Sequence, residues 1–256
     1  MTTRVATIAL NTLREAVRNK LLYAVLAVAV VMIVMSVVVS TLSYVEGTRI
    51  MQDMALASIR IFAAGTAIFL GINLLHREVD RRTIYTILSK PISRTEFILG
   101  KYFGLVLTVW LLLACMSAAF VGISLLAGAP VHAGHAAALA LMGVEMWIVV
   151  AVATLFSSFT TPILASLFTT GVYVLGHLTQ NLYLLARSST HVGTGWFADT
   201  IYRVLPDLEV FNLSIEAVHG LPIPAGEIWW PVAYALVYAS LLLVATSLTF
   251  SRRDLR

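Results

Sequence analysis

The side chains that carry the most chemistry stand in the most apolar parts of this chain. Glu145 lies deep inside a long apolar run, and Asn73, His177, Gln180 and Asn181 stand within or beside others. A carboxylate in hydrocarbon is costly. It is therefore retained as a cargo or proton site, or it is satisfied by an internal hydrogen bond to a Ser or Thr on a neighbouring helix. The second role is preferred. Asn73, His177, Gln180 and Asn181 either line a pathway or bridge helices, because polar groups in such surroundings find one another. His132 and His135 have the spacing H-x-x-H, but two imidazoles lack the third ligand that a zinc site needs. No metal site is expected, and the lone Cys115 supplies neither a disulfide framework nor a thiolate cluster. The rival class is an integral membrane enzyme. Against it, Gly122-Ile123-Ser124-Leu125 lacks the small-residue surroundings of an intramembrane serine protease, and H-E-x-x-H is missing.

The elements that must position these groups are membrane helices. Hydrophobic residues form 59% of the 256 residues and charged residues 12%, with a mean hydropathy of +0.90. Soluble domains are about half apolar and one-quarter charged, and could not hide this much apolar surface. The expected fold is an all-α polytopic domain covering 1–256. Residues 1–20 form an amphipathic entry helix, with Val5, Ile8, Ala9, Leu13, Ala16 and Val17 on one arc and Arg4, Asn11, Arg14, Glu15 and Arg18 on the other. Six transmembrane helices follow at 21–42, 55–75, 102–127, 136–157, 162–185 and 229–250, each near the roughly 20 residues that a crossing needs. The first of these runs is too long to be a signal peptide. A secondary carrier is a further alternative, but it would favour internal repeats, and no convincing one is present.

Between the fifth and sixth spans lies an extracytoplasmic segment, 186–228, acidic and partly apolar. Trp196, Ile201, Tyr202, Val204 and Leu205 suggest a short interfacial helix halted by Pro206, and a simple cap over the span ends is the alternative. Trp229 and Trp230 fit an interfacial aromatic belt. With the N-terminus inside, thirteen of the seventeen basic residues fall on the cytoplasmic side and only Arg49, Arg60, Arg187 and Arg203 on the other, as the positive-inside rule requires. Both termini are then cytoplasmic, including the tail 251–256. The basic residues thus report topology; a nucleic-acid surface would need basic and aromatic residues mixed on one soluble face, and none is expected.

The largest cluster of inner-side charge sits in one hairpin, 76–101. Ile84, Ile87 and Leu88 recur at helical spacing behind Glu78, Arg81 and Arg82, Pro91 ends that helix, and Ser93-Arg94-Thr95-Glu96 has the form of a capping box. A second helix then runs through Lys101 into the third span, with Gly100 and Gly104 at the spacing that lets helices approach closely. An apolar stripe too small for its own core suits docking to a soluble partner, although simple anchoring at the headgroups explains the charges equally well.

The pattern E-x-x-x-x-T-I-x-x-I-L-x-x-P-I-S-R-x-E-x-I-L-G-K over Glu78 to Lys101 resembles the signature segment of the ABC-2 family of ATP-binding-cassette transporter permeases. The run Ile8 to Lys20 resembles the entry helix of those subunits, and Leu205 to Asn212, LPDLEVFN, is similar to a late segment of theirs. The resemblance implies a type V exporter-like fold in which the hairpin is a coupling helix seated in a separate ATPase subunit. It places that role on Glu78, Arg81, Arg82, Thr83, Ile84, Tyr85 and Leu88, with Pro91, Arg94, Glu96 and Lys101 shaping the turn and the return. The chain lacks the G-x-x-x-x-G-K-[ST] phosphate loop, so it binds no cofactor itself. ATP and Mg belong to two copies of the partner ATPase, and a second permease subunit, most simply a homodimer, completes the path. The implied location is a bacterial or archaeal cytoplasmic membrane and the implied direction is export. Delivery of mechanical or regulatory work to a periplasmic assembly, through a periplasmic accessory protein, is the alternative within the family.

Overall fold

The computed structural model describes residues 2–43, 46–80, 93–179 and 205–252, with the backbone alone at 2, 73–80, 94 and 250–252. Among these residues every regular element is helical: α1 (Thr2–Val17), α2 (Lys20–Ser40), α3 (Gly47–Asp80), α4 (Arg94–Leu126), α5 (Ala133–Phe159), α6 (Pro162–His177), a 3-10 turn (Glu209–Phe211), α7 (Ser214–His219) and α8 (Ala225–Arg252). Five helices, α2, α3, α4, α5 and α8, are long and apolar enough to cross a membrane. The chain is an all-helical, multi-pass integral membrane protein.

Local chemistry sets the helix boundaries. Asn19 separates α1 from α2, its side chain accepting the amide of Leu21 at 3.1 Å in an N-cap. The expected capping box opens α4: the Glu96 amide donates to Ser93 Oγ at 3.2 Å, and the Ser93 amide donates back to the Glu96 carboxylate at 3.0 Å. Pro162 starts α6 in the first turn, where its missing N–H costs nothing. Two helices depart most from their expected spans. α3 begins before 55 and continues past 75 to Asp80, so its 34 residues measure about 51 Å against a hydrocarbon thickness of about 30 Å. α6 is shorter than its expected span. Its 16 residues cover only about 24 Å, and of the expected 162–185 crossing the part beyond 179 lies outside the described residues.

α5 is the hub of the bundle. It is buried along most of its length and packs against α3, α4, α6, α7 and α8. Lipid is as apolar as leucine, so helices in a membrane associate through close packing more than through hydrophobic burial. The core around α5 accordingly mixes small residues (Ala63, Ala64, Ala67, Ala151) with large ones (Met116, Phe120, Met142, Met146). α2 and α8, by contrast, turn Val31, Val38, Leu241 and Val244 outward. In water such surfaces would be interfaces; in a bilayer they face acyl chains.

The entry helix α1 docks along the start of α4, with Ala9, Thr12 and Ala16 buried. The Gly100/Gly104 spacing serves this contact. A Cβ at Gly104 would lie 2.5 Å from Thr12 Cβ, and one at Gly100 would lie 2.6 Å from Ile8 Cβ. Lys101, itself buried, reaches Glu15 of α1 at 3.7 Å. Gly104→Val is therefore expected to force α1 from α4 and cost about 1–3 kcal/mol by overpacking. A lowered unfolding temperature of the purified variant, with loss of a disulfide engineered between the two helices, would show it; an unaltered temperature would refute the contact.

Candidate functional site

The polar groups of the bundle interior converge at one level. Glu145 sits near the midpoint of α5, about 18 Å along the helix from its first residue. α6 starts two residues after α5 ends and runs antiparallel to it, so its last residue, His177, arrives at the same height. His177 Nε2 lies 3.0 Å from Glu145 Oε1. The other ring nitrogen, Nδ1, lies 3.2 Å from Glu209 Oε2. From α3, Arg60 Nε approaches Glu145 Oε2 at 3.9 Å, an ion pair too long to be a hydrogen bond. Glu145 is fully buried. Tyr173, one turn before His177, sets the edge of its ring against the imidazole with centroids 4.7 Å apart.

Glu209 reaches this level because residues 205–213 fold into the bundle. The end of a helix leaves carbonyls without partners. Here Gly176 O accepts the Leu208 amide at 3.0 Å and the Thr179 hydroxyl at 3.0 Å. Gly176 is the residue that permits it, since a Cβ there would lie 2.8 Å from Leu208 Cγ and 2.9 Å from Pro206 O. Thr179 Oγ1 also donates to Asp207 Oδ1 at 2.8 Å, and the Glu209 amide donates to the same oxygen at 3.1 Å. Tyr234 of α8 accepts the Asp207 amide, and Asn212 donates to Glu209 Oε1 at 2.7 Å. Leu208, Phe211 and Leu213 are buried against α5 and α8. Glu209 is thus held by hydrogen bonds to both His177 and Asn212.

A family model described as ABC-2 family transporter protein matches residues 6–255. The chain belongs to the ABC-2 transporter family. Among curated proteins, no sequence matches it. Membership makes this chain a membrane transport component of the ABC permease type, a class generally not catalytic itself and typically working with an ABC ATPase. It also sets the ion network inside the membrane body of an ABC-2 permease.

The structure brings together Glu145 and His177 from the expected set and adds Arg60, Glu209 and Asp207 to them. The Ser or Thr partner expected for Glu145 is replaced by His177 and Arg60. Arg60, read from sequence as an outer-side charge, lies in the interior, and its place within the apolar run 55–75 was the signal for that. Asn73, Glu78 and Arg94 are described as helical backbone only. Arg81, Arg82, Thr83, Ile84, Tyr85, Leu88, Pro91, Gln180 and Asn181 lie outside the described residues, as do Trp196, Ile201, Tyr202 and Val204 of the expected interfacial helix. Glu96 and Lys101 are committed to the α4 cap and to α1. His135 accepts the His132 amide through Nδ1 at 3.1 Å. Breaking a buried ion pair by deleting one partner leaves the other charge uncompensated. Glu145→Ala should therefore destabilise the protein by about 3–5 kcal/mol, and a thermal shift in nanodiscs no larger than that of an exposed control would contradict the network.

Proposed function

We propose that this chain is the permease subunit of an ATP-binding-cassette exporter in a bacterial or archaeal cytoplasmic membrane. It crosses six times, with both termini inside. A separate ATPase, holding ATP and Mg, drives it through the hairpin 76–101. The supporting observation is the continuity of α3, a single helix from Gly47 to Asp80 that joins Arg60 in the ion network to the start of that hairpin. A force applied near Asp80 acts on a rigid rod. The capped start of α4, clamped to α1, receives the other end of the hairpin. Ile84 and Leu88 would fill a groove on the ATPase, and Arg81 and Arg82 would meet carboxylates at its rim, where charges steer more than they bind.

A homodimer supplies the translocation path. Among the described residues of one chain Glu145 is fully buried. Between α3 and α6, however, an apolar groove of about 620 Å³ is lined by Ile61, Gly65 and Phe69 on one side and Ile163, Ser166 and Val174 on the other. A second copy seated along this face would close the path between subunits. A second reading, in which the subunit passes mechanical or regulatory work to a periplasmic assembly, draws on a pocket of about 450 Å³ at the opposite end, lined by His132, Glu216, Leu221 and Ile223. Through 205–219 that pocket is joined to the ion network. Transport into inverted vesicles separates the two readings.

Replacing Ile84 and Leu88 together with Asp is expected to abolish co-purification of the ATPase while leaving membrane insertion intact; undiminished binding would reject the coupling role. In a Cys115→Ala background, a cysteine at Ser89 should react with an impermeant maleimide only from the cytoplasmic side. Labelling of intact cells would reverse the orientation.

A further inference from the structure

The His177 contacts cannot all be made without an additional proton. Ionised carboxylates only accept hydrogen bonds, and a neutral imidazole carries one donor and one acceptor nitrogen. Both ring nitrogens of His177 face carboxylate oxygens, Glu145 Oε1 at 3.0 Å and Glu209 Oε2 at 3.2 Å. A neutral ring would set one bare nitrogen lone pair against a carboxylate lone pair inside the bundle. With a proton on each nitrogen, both contacts become charge-assisted hydrogen bonds. Charge balance points the same way. Among the described residues, Arg60 is otherwise the one cation the site sets against three carboxyl groups, Glu145, Glu209 and Asp207, and a protonated His177 adds a second. The position of His177 at the C-terminal end of α6 adds to this, since the carbonyl end of a helix favours a cation.

We infer that His177 is a proton-binding site within the membrane body, and that its bound proton is the clasp fastening residues 205–213 to α5 and α6. Every element packed around it contributes: Glu145 from α5, Arg60 from α3, Tyr173 from α6 itself, Glu209 and Asp207 from the incoming segment, and Tyr234 of α8 on the Asp207 amide. The proton is taken from water and returned to it, with no heavy-atom bond made or broken. When it leaves, the Nδ1 hydrogen bond to Glu209 becomes repulsion, and the segment keeps its apolar side chains, the Gly176 carbonyl and the Asp207 contacts to Thr179 and Tyr234. Arg60 rides on α3. On the permease reading, a shift of α3 changes the distance between Arg60 and Glu145, and the ATP-driven cycle loads and unloads this proton. The site itself rests on the geometry alone.

The test is ring-nitrogen NMR on the full chain, labelled with ¹⁵N-histidine and held in nanodiscs without any ATPase. The chain has six histidines, and His177→Gln identifies the signal by its loss. Two protonated ring nitrogens at pH 7 are expected for His177; a neutral ring there overturns the assignment. Glu209→Gln can donate to Nδ1, so it removes the need for the second proton. The titration midpoint should fall by at least one pH unit, about tenfold in proton affinity, and an unmoved midpoint argues against the clasp. If that variant fails to fold, the wild-type titration decides. A second readout is thermal stability, because a folded state that binds an extra proton loses stability as pH rises. That slope should flatten in His177→Gln, and an equal slope in both proteins would oppose the inference. Since no ATPase is present, a negative result leaves the permease reading standing.

Discussion

A carboxylate placed halfway along a membrane helix costs several kcal/mol unless something opposes its charge, and Glu145 is opposed by groups from two other helices. Arg60 comes from α3 and His177 from the end of α6, which in turn holds Glu209 of the incoming segment. Each of these stretches is thereby tied to α5. A bundle without this network could slide its helices past one another at little cost, because lipid and leucine are nearly equivalent surroundings. With it, the relative heights of α5 and α6 are set by a hydrogen bond and that of α3 by an ion pair.

The early end of α6 follows from the same constraint. A helix that stops inside a bundle must give its last carbonyls to something other than lipid. Residues 205–213 take that place, donating the Leu208 amide to Gly176 and carrying Asp207 and Glu209 to Thr179 and His177. Irregular backbone survives at this depth because it is enclosed by α5, α6 and α8. α5 in turn can serve as hub because one side of each close approach is small, Gly71 of α3 against Ala153 and Gly143 of α5 beneath the Trp110 ring.

Much of the architecture was legible in the chain itself. Apolar runs mark the helices, the Ser93/Glu96 box marks one start, and the Gly100/Gly104 pair announces a close contact. That contact is made with the entry helix, which spacing does not specify. The site was legible only in part. Glu145 and His177 stand out as polar residues in apolar runs, but they are 32 positions apart and no local periodicity pairs them. Arg60 was hidden among charges assigned to the outer side. Glu209 looked like one more acidic residue of an outer segment, and what drew attention to it was the LPDLEVFN run, with no indication that this run enters the bundle.

Alone, the sequence determined that this is a helical membrane protein of the ABC-2 family, because hydropathy, charge asymmetry and short motifs act over a few residues and can be read from them. The tertiary structure decided which charges meet, where α6 stops and which segment satisfies its end. Those depend on groups far apart in the chain being brought to a common depth, and the drive is the cost of an unmatched charge or carbonyl in hydrocarbon. That cost exists only once the helices have packed and excluded water from between them.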